Sequence, residues 1–217
     1  MSAPNHPLHV SEWRREVAEI YASVRREAAT KPHHAWERFR TRRDRLFRDH
    51  PQSPLPSTQR AQFQGLSFYR YDSAWRIPAV VVPTERGEST EVDLPEGRLR
   101  YSPIAELRFT ADGEDRVLAL YWIEGYGGGL FLPFGDTTSG RTTYGGGRYL
   151  YDTIKGADLS TTTDQFILDF NFAYNPSCAY DDRWACPLPP PENRLPFAVE
   201  AGERSFESTT EDRTRQR

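Results

Sequence analysis

The sequence has few cysteines, methionines and lysines and no histidine beyond position 50, and each scarcity narrows what the chain can be. Two cysteines, Cys178 and Cys186, are too few for a secreted scaffold stapled by disulfides. No stretch approaches the ~18 consecutive apolar residues of a membrane span. The opening MSAPNHPLHVSEW has no basic segment followed by an apolar core, so no secretory leader is expected and the chain reads as soluble and cytoplasmic. A net charge of -3 argues against nucleic acid as a partner. Only Lys31 and Lys155 among the 28 basic residues are lysine, so almost every cation is a planar guanidinium suited to carboxylates and aromatic faces. With a single Met and 13% aromatics, Trp, Tyr and Phe must fill much of the interior. At 217 residues the chain can bury roughly 70% of its unfolded surface without staples.

Periodicity divides the chain. After a flexible start over 1–10, Trp13, Val17, Ile20, Tyr21 and Val24 recur at helical spacing and predict a helix over 11–29, with Ser11 as its cap. Lys31-Pro32 breaks it. Trp36, Phe39, Arg43, Leu46 and Phe47 predict a second helix to about Asp49. Pro51, Pro54 and Pro56 then enforce an extended link, so residues 11–50 form the helical part of one folded unit. Over 51–202 the period becomes two. Strands are predicted near 66–71, 75–83, 90–94, 105–110, 116–123, 129–134, 142–151, 165–174 and 196–200, with turns carrying Pro, Gly, Asp or Asn. The fold class is α+β, mainly β: an antiparallel β-barrel or sandwich with an N-terminal pair of helices. Residues 203–217 lack an apolar pattern and read as a disordered tail.

Two glycine triplets, 127–129 and 145–147, flank a hairpin loop expected at Asp136–Gly140, with Gly128 and Gly147 near one level. Glycines paired across a sheet allow a sharp bend or the close approach of a ligand. Neither triplet opens a helix or precedes Gly-Lys-Ser/Thr, so nucleotide fingerprints are excluded. GYGGGLFLPF (125–134), YGGGRYL (144–150), DTIKGAD (152–158), LDFNFAYNPSCAY (168–180) and CPLPPPENRLP (186–196) together resemble the prokaryotic family catalogued as domain of unknown function 1684. Trp13-Arg14 and HPQSPL (50–55) are similar to it as well. The resemblance spans about residues 11–202. It implies that the glycine hairpin and the NPSCAY block belong together, as one composite site or one composite core, and supplies no catalytic residues.

Strand alternation over 165–175 places Phe166, Leu168, Phe170, Phe172 and Tyr174 on a core face, and Asp169, Asn171 and Asn175 on the other. That second face is either wet or the lining of a polar cavity; short amides and a carboxylate favour the cavity. If Asp181–Arg183 is a hairpin tip, Cys178 and Cys186 face each other as paired thiols, as a disulfide, or as half a metal site. No histidine lies near, so no metal is assigned. Thiol catalysis would need Cys178, His50 and Asn175 to meet. Carboxylate catalysis could draw on Glu124, Asp136, Asp152, Asp158 and Asp169, although Glu124 could equally form a salt bridge to Arg148.

The leading reading is recognition of a small polar molecule. Tyr126, Tyr144 and Tyr174 would be its walls, and Glu124, Arg148, Asp169, Asn171, Asn175 and Cys178 its polar contacts. The alternatives are a hydrolase or transferase using carboxylates or Cys178 in the same pocket, and a structural or partner-binding module. No cofactor and no oligomeric state follow from the sequence.

Overall fold

The structure is a computed structural model and describes residues 6–94, 97–160 and 165–206. Helix α1 spans Pro7–Glu27 and α2 spans Pro32–Asp49. Helix α1 starts before Ser11 because the His6 imidazole accepts the Leu8 N–H at 3.3 Å and Pro7 occupies the first turn, where its missing donor costs nothing. Residues 7–10, expected to be flexible, are therefore helical, whereas 1–5 lie outside the described residues. Lys31-Pro32 separates the helices as anticipated. Each buries one stripe: Val17, Ile20, Tyr21 and Val24 from α1; Ala35, Trp36, Phe39, Arg43, Leu46 and Phe47 from α2. A short helix, α3 (Ser57–Arg60), follows the proline-rich link.

Seven antiparallel strands then form one curled sheet, an open half-barrel: β1 (Arg76–Pro83), β2 (Thr90–Leu94), β3 (Gly97–Ala111), β4 (Glu114–Ile123), β5 (Gly129–Phe134), β6 (Arg148–Asp152) and β7 (Gln165–Asp169). The strand order is β6-β5-β4-β3-β1-β7. The 15-residue β3 is long enough to pair with β2 through its first half and with β1 through its second. Register shifts at Pro103/Ala105 and Leu132/Pro133 mark the bulges that help the sheet curl. The helix pair covers the core beside β7, with the Phe39 ring 5.1 Å from that of Phe172.

Several expected strands are shorter or absent. Residues 66–71 contribute only an isolated bridge from Phe68 to Glu203, and 196–200 run as irregular chain. Strand β7 stops at Asp169 because its carboxylate accepts the Asn171 N–H at 3.2 Å, turning 170–172 into a 3₁₀ turn. Alternation fails there, and Phe170, Asn171 and Phe172 are all buried. In the glycine hairpin Phe134 pairs with Arg148 and Phe131 with Asp152, so Gly128 and Gly147 sit at opposite ends of it and not at one level.

The chain also stays packed beyond residue 202. Glu203 is buried, and Arg204 donates its N–H to the Ser67 carbonyl at 2.8 Å. Residues 207–217 lie outside the described residues. Among the described residues no helix is long and apolar enough to cross a membrane.

A candidate polar cavity under the helix pair

Strand β6, the last of the glycine hairpin, ends the sheet, and its outer edge makes one further antiparallel bridge. Tyr149 and Tyr174 exchange both backbone hydrogen bonds, at 2.9 and 3.0 Å, so the NPSCAY segment is laid along β6. Helices α1 and α2 cross over this seam and leave a cavity of about 50 Å³, room for roughly a few water molecules. Trp13, Val17, Phe47 and Pro54 form its apolar wall, and Tyr21, Arg43, Asp152, Lys155, Tyr174 and Asn175 its polar one.

Most of the polar wall is held in place. Asp152 accepts the Lys155 N–H at 3.2 Å, which closes a 3₁₀ turn and returns the Lys155 ammonium to 3.5 Å from the carboxylate. Lys155 remains half exposed at the rim, and the Asp152 carboxylate holds its ammonium above the usual lysine value. Arg43 donates to Glu203 at 3.1 Å and to the Tyr180 hydroxyl at 3.4 Å, while Tyr180 donates to Glu203. Burial pulls the Arg43 guanidinium down, but Glu203 with Tyr180 and Tyr21 outweighs it and the net shift is upward. Burial also raises the phenols of Tyr21 and Tyr174, which keeps both neutral donors at physiological pH.

Three atoms of the wall are left over. The Tyr21 hydroxyl and the Asn175 Oδ1 are buried without a hydrogen-bond partner, and so is the Arg43 Nε. Asn175 is committed elsewhere: its backbone N–H goes to Glu203 at 3.2 Å and its Nδ2 to the Arg204 carbonyl at 2.8 Å. Only the acceptor end of its side chain is free. Buried polar groups are rarely left unpaired, so a cavity whose wall carries three such atoms is suited to a polar guest.

Of the residues singled out in the sequence, Tyr174 and Asn175 line this cavity, whereas Tyr144 and Cys178 are not in its wall and meet each other at 3.6 Å. The others do not join them. Tyr126 is fully exposed, at 110%, and forms no wall. Glu124 is not paired with Arg148. It accepts from Ser89 at 2.7 Å and Ser102 at 3.2 Å, with Arg86 and Arg100 beside it, and these contacts, the Ser89 hydroxyl foremost, hold its carboxyl low.

Arg148 is wholly buried. It donates to Asp136 at 2.9 Å and to the carbonyls of Val199, Ala201 and Glu203, stapling the returning chain to the hairpin. Asn171 grips both the N–H and the carbonyl of Asp72 and donates to Asp169. These two are scaffold. Asp169 lines a separate small cavity with Arg25 and Arg76.

The catalytic constellations weighed from sequence are likewise dispersed. His50 accepts from the Gln52 N–H at 3.0 Å and turns Nε2 toward Glu12, and none of the contacts of the described residues links it to Cys178. Asp136 is bound to Arg148, and Asp158 lies with Arg25 and Ser160. Among the described residues no group of three or more His, Cys, Asp or Glu converges as a metal site.

The sequence reading names Asp152 only as a possible catalytic carboxylate and misses Tyr21 and Arg43 as cavity residues. Arg43 carried a signal: a cation on the apolar stripe of α2 must be buried, and a buried cation needs an anion.

No curated protein matches the chain. It is similar to a solved structure, the solution NMR structure of the uncharacterized protein from gene locus rrnAC0354 of Haloarcula marismortui. The two are 38% identical with a TM-score of 0.62, over 82% of this chain and 96% of that one. Residues 61–204 match the family model described as a protein of unknown function, DUF1684. That match takes in the curled sheet, the glycine hairpin and the NPSCAY seam, and the chain belongs to this family.

Proposed function

We propose that the cavity between the helix pair and the Tyr149–Tyr174 seam binds a small polar molecule, an amino or hydroxy acid of a few non-hydrogen atoms. The observation that carries this reading is the pair of buried, unpartnered atoms on its wall, the Tyr21 hydroxyl and the Asn175 Oδ1. Their chemistry complements the charges nearby. Lys155 and the free N–H of Arg43 suit a carboxylate, whereas Asn175 Oδ1 and Asp152 accept from a hydroxyl or ammonium. Trp13 and Phe47 exclude water from the apolar side. The volume sets the size limit.

Native mass spectrometry beside the denatured mass, followed by thermal-shift titration with small α-amino and α-hydroxy acids, tests the reading. An adduct lost on denaturation, or stabilisation by a member of the panel, is the expected outcome. Lys155→Gln should then weaken binding about tenfold or more, since a charge-assisted hydrogen bond contributes roughly 1.5–3 kcal/mol. Tyr126→Ala should leave it unchanged. Asn171→Ala should lower stability by about 2 kcal/mol whether or not ligand is present, because its contacts are structural. A bare chain that no panel member stabilises would sink the proposal.

A further inference from the structure

Cys178 and Cys186 bracket a loop that is fastened at several points, and both are free cysteines, neither fully buried nor fully exposed. On one side the Tyr180 ring packs 5.0 Å from Phe47 and its hydroxyl donates to Glu203. In the middle Arg183 donates to the Ser53 carbonyl at 3.2 Å. On the other side the Pro187 carbonyl accepts the Tyr149 hydroxyl at 2.5 Å. The two cysteines are thereby held beside each other. The Cys178 N–H donates to Cys186 Sγ at 3.3 Å, which brings the second sulfur against the backbone of the first, and the Tyr144 hydroxyl reaches Cys178 Sγ at 3.6 Å.

The two sulfurs are not equivalent. The bond from Cys186 and then that from Tyr144 lower Cys178 to about 6 against the opposing effect of burial, whereas the interaction with Cys178 pushes Cys186 up. Lys155 adds a cation that favours thiolate at both. One member is therefore a thiolate near neutrality, and the other is a thiol within reach of it.

We propose that Cys178 and Cys186 form a hydroperoxide-sensitive dithiol, with Cys178 as the attacking sulfur and Cys186 as the resolving one. The Cys178 thiolate attacks the terminal oxygen of the hydroperoxide. An S–O bond forms as the O–O bond breaks, leaving Cys178 as sulfenic acid and the alkoxide to depart, protonated, as alcohol or water. The Cys186 sulfur then attacks the sulfenyl sulfur. The S–S bond forms, the S–O bond breaks, and the hydroxide leaves as water with the Cys186 proton. The two thiols supply the two electrons that reduce the peroxide. A soluble dithiol returns them by exchange.

The test uses the full chain, reduced and then treated with hydrogen peroxide. A loss of about 2 Da in intact mass, reversed by dithiothreitol and without chain dimerisation, is expected. Cys186→Ser should stop at the sulfenic acid and give a dimedone adduct, whereas Cys178→Ser should react at least about tenfold more slowly. In the reduced parent chain, iodoacetamide alkylation of Cys178, followed by peptide mapping, should show a pH midpoint near 6. Equal reactivity of the two single variants would overturn the assignment of roles. Persistence of both free thiols in excess peroxide, or a midpoint at the ~8.5 of an ordinary thiol, would overturn the proposal.

Discussion

Arg43 in the second helix and Glu203 near the end of the described chain form a buried ion pair at 3.1 Å across 160 positions of sequence. Both side chains are almost inaccessible, and the pair joins the helical layer to the returning chain under the NPSCAY seam. Desolvation is the larger influence on the Glu203 carboxyl and raises it, while Arg43, Tyr180 and the Asn175 N–H pull the other way. Removing one partner leaves a buried charge with no counterion.

Glu203→Ala should therefore destabilise the fold by about 3–5 kcal/mol, the usual cost of breaking a buried pair. Replacing both partners with apolar residues, Arg43→Met with Glu203→Leu, should cost less than the single change. Urea unfolding of the variants measures both. A single variant within about 1 kcal/mol of the parent would mean that water reaches the pair and that residues 203–206 are only loosely attached.

Asp169 gives a pH dependence of definite sign. Burial raises its carboxyl to about 6, against ~3.9 for an unfolded chain, with Asn171 and Arg76 opposing the rise. The folded state thus holds the proton more tightly, so this stabilisation is complete below about pH 4 and is lost as pH climbs through 6. The span is roughly 3 kcal/mol. Asp169→Asn keeps an acceptor for Asn171 and cannot titrate. Its stability relative to the parent should rise across that window and level off above it. A difference that stays constant from pH 4 to 7 would show that Asp169 does not titrate there.

Gly156 and Gly127 share the same left-handed backbone, at φ +89° and +87°, but not the same surroundings. A Cβ at Gly156 would lie 2.7 Å from the Ala18 nitrogen and 2.9 Å from the Arg14 carbonyl, both backbone of α1, whereas one at Gly127 meets nothing within 4 Å. Gly127→Ala should cost only the conformational penalty of about 1 kcal/mol. Gly156→Ala must also push α1 off the Asp152–Lys155 turn and should cost at least about twice that. Thermal denaturation of the two variants separates the terms. Equal losses would mean that the helix shifts without cost and that the cavity wall is not rigid.

Some of the site was legible in the sequence. Tyr174 and Asn175 were picked out by the short polar residues beside an aromatic run, and they do line the cavity. Asp169 and Asn171 were picked out by the same alternation, which ends when the Asp169 side chain takes the Asn171 N–H and turns the chain inward. A two-residue period describes a strand only while the ladder holds the backbone, and a side-chain acceptor can interrupt it. Tyr126, expected as a wall with Tyr144 and Tyr174, is carried into solvent by the turn between β4 and β5.

The sequence by itself determined most of the local elements: the two helices and their break at Lys31-Pro32, the majority of the strands with their turns, and the two arms of the glycine hairpin. Each follows from forces acting within a few residues, namely apolar periodicity, a fixed proline φ and the absence of a side chain on glycine. Tertiary structure alone decided which distant groups share a cavity. Tyr21, Arg43, Asp152 and Asn175 meet because two helices lie across the edge where Tyr149 pairs with Tyr174. It also decided that Glu203, in a segment without any pattern, is buried. The reason is that a buried charge is positioned by its counterion and a cavity by the packing of whole elements, and neither leaves a period in the chain.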